Sequence, residues 1–293
     1  ASLQNTSDLQ KVKVSTFNDL LNTQKNSEKY RPTLFDLLAH TALDFYKTTE
    51  NTITRPADKF DINTPELLCE GYQFIEQKID ANDTTSLQSK ALQIYQDLLK
   101  FHAQDKALDA YVTIDIERLQ FIKNNATFNN TSDYYISVLK NSAEQIKENE
   151  NWGLYEFEIA QHFQELGNSY QSNRNEEELT EDHKGKHKEA FAICETIINT
   201  YPESDGAEKS RNLKSIILYK YTQLTNEQYI PIHKPSRLLV NYKNVDSLNI
   251  TAYEVRQSQL DELEDLYPEE KKLAFTSKLK TYKTWDTALK NEG

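Results

Sequence analysis

The stretch Ala91-Leu92-Gln93-Ile94-Tyr95-Gln96-Asp97-Leu98-Leu99-Lys100-Phe101-His102 decides the fold. Its Ala91, Ile94, Tyr95, Leu98, Leu99 and His102 fall at offsets 0, +3, +4, +7, +8 and +11, the spacing that gathers side chains on one buried face of a helix. The same offsets recur in Tyr135, Val138, Leu139, Ser142, Ala143 and Ile146, and again in Ala190, Ile193, Cys194, Ile197, Ile198 and Tyr201. Second helices follow each stripe. They carry Leu108, Tyr111, Ile114, Leu119 and Ile122, then Tyr155, Ile159, Phe163 and Leu166, then Leu213, Ile216 and Ile217.

The stripe starts are 44 and 55 residues apart, longer than the roughly 34 of an ideal tetratricopeptide repeat. Long helices and the charged insert Gln171–Lys188 account for the excess. The pattern fits stacked helical hairpins, a tetratricopeptide-like superhelix, or an antiparallel bundle whose amphipathic helices pack in the ordinary way. Tyr201-Pro202-Glu203-Ser204 supplies a stop and an N-cap between the last two helices. Upstream, Thr33 is placed as N-cap with Asp36 three residues on, a capping-box-like start that also suits the positive helix N-terminus. A helix is expected over Phe17 to about Asn26. Another is expected from Thr64-Pro65-Glu66, with Leu68, Tyr72, Ile75 and Ile79 on one face. Residues 1–15 read as a polar tail.

The texture changes at residue 229. Ile230-Pro231-Ile232 and Pro235 are extended. Leu238–Tyr242 reads as a strand with Leu248–Val255 as its hairpin partner across Lys243–Ser247. A charged helix over about Gln259–Lys278 and a short strand near Thr281–Trp285 complete the region. The expected division is a tail over 1–15, an α-helical repeat-like domain over 16–228, and a small, incomplete β-sandwich segment over 229–293. Three strands and one helix cannot close a sandwich, and the chain starts at Ala1 without signal-peptide features, so it reads as a piece of a longer protein.

Composition narrows the function classes. The 34 basic and 46 acidic side chains give a net charge of −12, and no basic run exists to neutralise phosphates, which argues against nucleic acid. Mean hydropathy is −0.77 and no apolar stretch is long enough to span a membrane. With 6 Gly and 7 Pro the chain has little turn chemistry for an all-β fold.

Two segments resemble the N-terminal part of bacterial alpha-2-macroglobulin-like proteins. Tyr30-Arg31-Pro32-Thr33-Leu34-Phe35-Asp36-Leu37-Leu38-Ala39-His40-Thr41-Ala42-Leu43-Asp44-Phe45 looks like the helix near their start. Pro235-Ser236-Arg237-Leu238-Leu239-Val240-Asn241-Tyr242-Lys243-Asn244-Val245, with Ala252-Tyr253-Glu254-Val255, is similar to the opening strands of their first macroglobulin-type sandwich. The helical part between them looks like their tetratricopeptide-like region. The resemblance implies an exported protease trap, periplasmic or at the cell envelope, whose parent could be lipid-anchored. Its partners would be target proteases, met through the full-length protein, and envelope proteins. In the family a bait segment is cut, the molecule rearranges, and in many members an internal thioester bonds the attacker. The cysteines here lie in Leu68-Cys69-Glu70-Gly71 and Ile193-Cys194-Glu195-Thr196, and neither matches the thioester run. No inhibitory residue carries over, so the expected role is a non-catalytic scaffold, with a stand-alone tetratricopeptide-like peptide- or protein-binding scaffold as the alternative.

Each chemistry candidate has a plainer reading. Cys69 and Cys194 could pair in an exported protein, but both lie on apolar stripes and read as buried free thiols. His183 and His187, at i and i+4 with Glu181, Asp182 and Glu189 around them, have metal-ligand spacing. The interleaved Lys184, Lys186 and Lys188 make a solvated insert the better reading. His40 between Asp36 and Asp44 could be an acid–base array, or a packing-boundary histidine tied to a carboxylate. Asp115, Glu117 and Arg118 read as an ion pair. Tyr134, Tyr135, Tyr155 and Tyr170 could line a concave surface, though filling helix contacts with the hydroxyl in water is the simpler reading. The Asn125, Asn129 and Asn249 glycosylation triplets read as chance matches. No catalytic, cofactor or metal residue is assigned, and no cofactor is expected.

Overall fold

The computed structural model describes residues 3–22, 26–48, 59–79, 83, 85–170, 183–227, 229 and 234–290. It is mainly helical with two small antiparallel sheets. The chain divides into two compact units, 1–214 and 215–293.

The first unit opens with α1 (Thr6–Leu9), a 3-10 turn over Val14–Phe17, and α2 (Leu34–Tyr46). The expected tail is thus built into the fold. Val14 is buried, its N–H donates to the Pro32 carbonyl at 2.9 Å, and the Leu34 N–H donates to the Val12 carbonyl at 2.8 Å. The helix expected over Phe17 to about Asn26 is absent among the described residues: Phe17 ends that 3-10 turn and 18–21 are turns and a bend, in a stretch where Asn18, Asp19 and Asn22 have low helix propensity. The capping box forms as read. The Thr33 N–H and hydroxyl both donate to Asp36 Oδ2 at 2.8 Å, and the Asp36 N–H donates to Thr33 Oγ1 at 3.3 Å. The helix expected from Thr64 is instead a 3-10 turn at Pro65–Leu67 and a short α3 (Gly71–Phe74). It breaks at Leu68–Glu70, where the Leu67 and Cys69 carbonyls leave the helical pattern to accept from Arg118.

The striped helices follow as α4 (Leu87–His102), α5 (Asp109–Asn125), α6 (Thr131–Gln145), α7 (Trp152–Ser169), α8 (Lys186–Thr200) and α9 (Asp205–Leu218). All six members of the α4 stripe are buried, as are five of six in α6 and Ala190, Cys194 and Ile197 in α8. α4 packs on α2 and α5, α6 on α7, and α7 on α8, around one core that runs from Phe35 to Ile159. Ser204 caps α9, its Oγ accepting the Ala207 N–H at 3.2 Å. Lys29 and Tyr30 both bind the Asp205 carboxylate at the first residue of α9, tying the lead-in of α2 to a position 175 residues away.

α7 and α9 meet through glycines. A Cβ on Gly206 would come within 2.8 Å of the Gly153 carbonyl carbon and 2.9 Å of its oxygen, so backbone sits on backbone. Gly206→Ala is therefore expected to destabilise the unit by about 1–3 kcal/mol, read as a lower urea midpoint at unchanged slope. An unaltered midpoint would show that the two helix starts separate without cost.

In the second unit β1 (Tyr221–Asn226) pairs with β2 (Leu238–Lys243), and β3 (Ser247–Glu254) with β4 (Lys280–Ala288). The expected β2–β3 hairpin does not form. Asn244, with φ 55°, turns the corner, and its Nδ2 donates to the carbonyls of Ile217 and Tyr219 at 2.7 and 3.2 Å, so the chain crosses from one sheet to the other. β1 also lies inside the stretch read as helical. Its sequence Tyr-Thr-Gln-Leu-Thr-Asn holds a single aliphatic side chain, too weak an alternation to stand out. The long helix expected to Lys278 is two, α10 (Gln257–Glu264) and α11 (Glu269–Thr276), interrupted at Pro268, which has no N–H to continue the first. The extended Ile230–Ile232 lies outside the described residues.

Candidate functional site

α5 places its charged residues inward. Arg118, fully buried, donates from Nε and Nη2 to Asp115 Oδ1 at 3.0 and 2.5 Å, and to the Leu67 and Cys69 carbonyls at 3.2 and 2.7 Å. Its guanidinium lies 4.4 Å from the Phe74 ring centroid. Asp115 Oδ2 accepts the Tyr155 hydroxyl at 2.8 Å. Burial, and then the Asp115 charge, push that phenol well above its usual range. The Asp115–Arg118 reading as an ion pair holds; Glu117 belongs to a different group.

That group is His40, Glu117 and Arg31. His40 Nδ1 is 3.5 Å from Glu117 Oε2, and Arg31 Nη2 is 3.7 Å from Oε1. Burial pushes the Glu117 carboxyl up, but the hydrogen bond from His40 and the pull of His40, Lys47 and Arg31 outweigh it and hold it below the ordinary value. His40 is thus a buried histidine tied to a carboxylate, but the carboxylate comes from α5 and not from Asp36 or Asp44. Asp36 instead accepts His102 Nε2–H at 2.7 Å, and His102 Nδ1 is 2.7 Å from Asp105 Oδ2. Both ring nitrogens face carboxylates, which fixes an imidazolium. Burial opposes that charge, but the bonds to Asp36 and Asp105 prevail and raise the His102 pKa. The Asp36, His102, Asp115 and Arg118 side chains have no exposed surface, and their contacts tie helices to one another.

Cys69 and Cys194 are free, and burial raises both thiol pKa values, which makes them poor nucleophiles. His183 and His187 do not share a helix face. His183 precedes α8 and its Nδ1 is 2.8 Å from Ser169 Oγ, whereas the His187 ring packs on Gly167, where a Cβ would come within 2.9 Å. Glu181 and Asp182 lie outside the described residues, and among those described no His, Cys, Asp and Glu group could hold a metal ion. Tyr135 and Tyr155 fill helix contacts, with hydroxyls on Glu158 (3.3 Å) and Asp115 rather than in water, while Tyr134 is exposed.

An arrangement open to a ligand among the described residues is a cavity of about 620 Å³ between α6, α7 and the start of α8. Ile136, Phe163 and Leu166 form its apolar part; Lys140, His162, His183 and Lys186 supply polar ends. Lys186 Nζ lies 4.5 Å from the Phe163 ring centroid and 2.9 Å from Glu189 Oε1. Burial and the Lys123 charge hold the His162 pKa below its ordinary value, so it is a neutral hydrogen-bonding group at pH 7. The helix stripes showed Phe163 and Leu166 on the α7 face but not the site, because it joins that face to residues of α6 and of the lead-in to α8. No membrane-crossing helix exists among the described residues. No protein-family model, curated protein or solved structure matches the chain.

Proposed function

We propose that the chain is a non-catalytic scaffold and interaction region of an exported alpha-2-macroglobulin-like protease inhibitor, with trapping performed by domains outside it. The observation that carries this reading is the second unit's unfilled β surface. The β1–β2 register puts Leu224, Leu238, Val240 and Tyr242 on one face, and the β3–β4 register puts Leu248, Ile250 and Trp285 on one face. Yet no described residue after Ile217 is buried. Leu224, Leu238 and Trp285 are 55, 40 and 39 % exposed. A two-stranded ribbon is marginal alone, and each such side chain gains about 1.5–3 kcal/mol on full burial. Two amphipathic ribbons joined by a chain that changes sheets are the components of a β-sandwich, whose inner faces pack on each other once further strands are added. The expected hairpin over 238–255 does not form, so this reading rests on the exposed ribbon faces and not on that pairing. In the helical unit, buried charges spent on helix contacts support a scaffold, and the α4–α5, α6–α7 and α8–α9 pairs are read as tetratricopeptide-like hairpins.

The test compares amide exchange in β1–β4 between this chain alone and the natural polypeptide that contains it, and asks whether that polypeptide retains an endopeptidase that cuts it. Slower exchange by at least tenfold in the ribbons, with protease retention, is expected. Equal exchange and no retention overturn the proposal. The alternative, a stand-alone tetratricopeptide-like binding scaffold, is favoured by the α6–α7–α8 cavity.

A further inference from the structure

We infer that the cavity between α6, α7 and α8 docks a short peptide segment carrying a carboxylate next to a bulky apolar side chain. This rests on the binding-scaffold reading of the helical unit and gives it a site and a ligand chemistry. Its volume of about 620 Å³ lies within the range of pockets that enclose a few residues or a drug-sized molecule. The apolar wall of Ile136, Phe163 and Leu166 asks for a side chain of Leu or Phe size.

Charge selects what accompanies it. Lys140 from α6 and Lys186 from α8 both line the cavity, and Asp133 is the acidic residue of the lining, in a chain whose net charge is −12. The lining itself carries one more ammonium than carboxylate, against the sign of the whole chain, and an anionic group suits those two donors. Acidic neighbours hold the lysines from outside the lining: Glu189 binds Lys186, and Glu156 on α7 acts on Lys140. An ammonium has three donors, so Lys186 can keep Glu189 and still take a ligand oxygen. The N-terminal turns of α6 and α8 add their positive ends at Ser132 and Lys186. A bare phosphate would leave the apolar wall in water, and a neutral apolar segment would gain nothing from the donors the lysines still have to offer. A peptide with both features uses the whole surface.

The test is selection from a random hexapeptide library on the intact chain, followed by fluorescence anisotropy with the enriched peptide. Enriched sequences are expected to hold Asp or Glu within two positions of Phe, Leu or Ile. Lys140→Glu and Lys186→Glu should each weaken binding at least tenfold, Lys140→Gln about threefold, and Lys100→Glu on α4 should change nothing. Circular dichroism checks that each variant is folded. Enrichment of neutral or basic sequences, binding indifferent to Lys140 and Lys186, or full displacement by equimolar inorganic phosphate overturns the site. Of these, enrichment that ignores the two lysines leaves the scaffold reading standing, whereas no enrichment at all removes both.

Discussion

Arg118→Met is expected to destabilise the helical unit by about 3–5 kcal/mol, the usual cost of removing one partner from a buried ion pair. Methionine keeps most of the stem volume, so the loss reports polar contacts rather than a hole. It strands the Asp115 carboxylate with only the Tyr155 hydroxyl at 2.8 Å and leaves the Leu67 and Cys69 carbonyls without their donor. The same side chain pins the 67–69 segment to α5, and Asp115 pins α5 to α7, which forms one wall of the cavity. The double variant Arg118→Met with Asp115→Leu is expected to recover part of the loss, because an absent charge costs less than a buried unpaired one. Urea unfolding followed by circular dichroism measures both. A single-variant loss below about 1 kcal/mol, or a double variant as unstable as the two losses added, would show that the pair is dispensable.

What the chain revealed in advance follows from the length scale of each signal. The offsets shared by Ala91–His102, Tyr135–Ile146 and Ala190–Tyr201 are local and periodic, so the helices and their buried faces were legible. So were the Thr33–Asp36 capping box and the Ser204 cap, which depend on side chains three residues apart. Partners that meet across the fold left no such mark. Asp36 reaches a histidine 66 residues on, and His40 reaches Glu117, so the apparent Asp36–His40–Asp44 array dissolves into two separate contacts. His102 was visible as the last member of an apolar stripe, and its burial was a sign that it needed a charged or hydrogen-bonded partner. β2, β3 and β4 were legible, but β1 and the pairing of the strands were not. A five-residue connection with Asn and Asp reads as a turn whether it closes a hairpin or crosses between sheets, and β1 is nearly all polar. The cavity combines residues from α6, α7 and the start of α8; Phe163 and Leu166 showed as stripe members and His183 as a candidate, but nothing local said that they meet.

Buried histidine 102 makes stability depend on pH with a defined sign. Its folded pKa is raised above the unfolded value of about 6.5, so the folded state binds a proton that the unfolded chain releases. That contribution is fully present below about pH 6.5 and is lost as pH rises through the folded pKa. Asp36, with no exposed surface, supplies the stronger bond; Asp105, 41 % exposed, is screened by solvent and supplies less. Other groups titrate with their own signs. Glu117, held low, contributes stability that falls away under acid, and the depressed His162 contributes stability that is lost as pH falls through its folded pKa. The informative quantity is therefore the difference between the parent and His102→Gln. The variant is expected to cost about 3 kcal/mol at pH 6, as for a broken buried pair, and progressively less towards pH 9. Asp36→Asn should flatten the same pH profile while also weakening the start of α2, since Oδ2 serves the capping box. Urea midpoints from pH 5.5 to 9 measure both. A parent-minus-variant difference that stays level or grows with pH would mean that His102 is folded as the neutral imidazole, and that the two 2.7 Å contacts hold α2 to α4 without a charge.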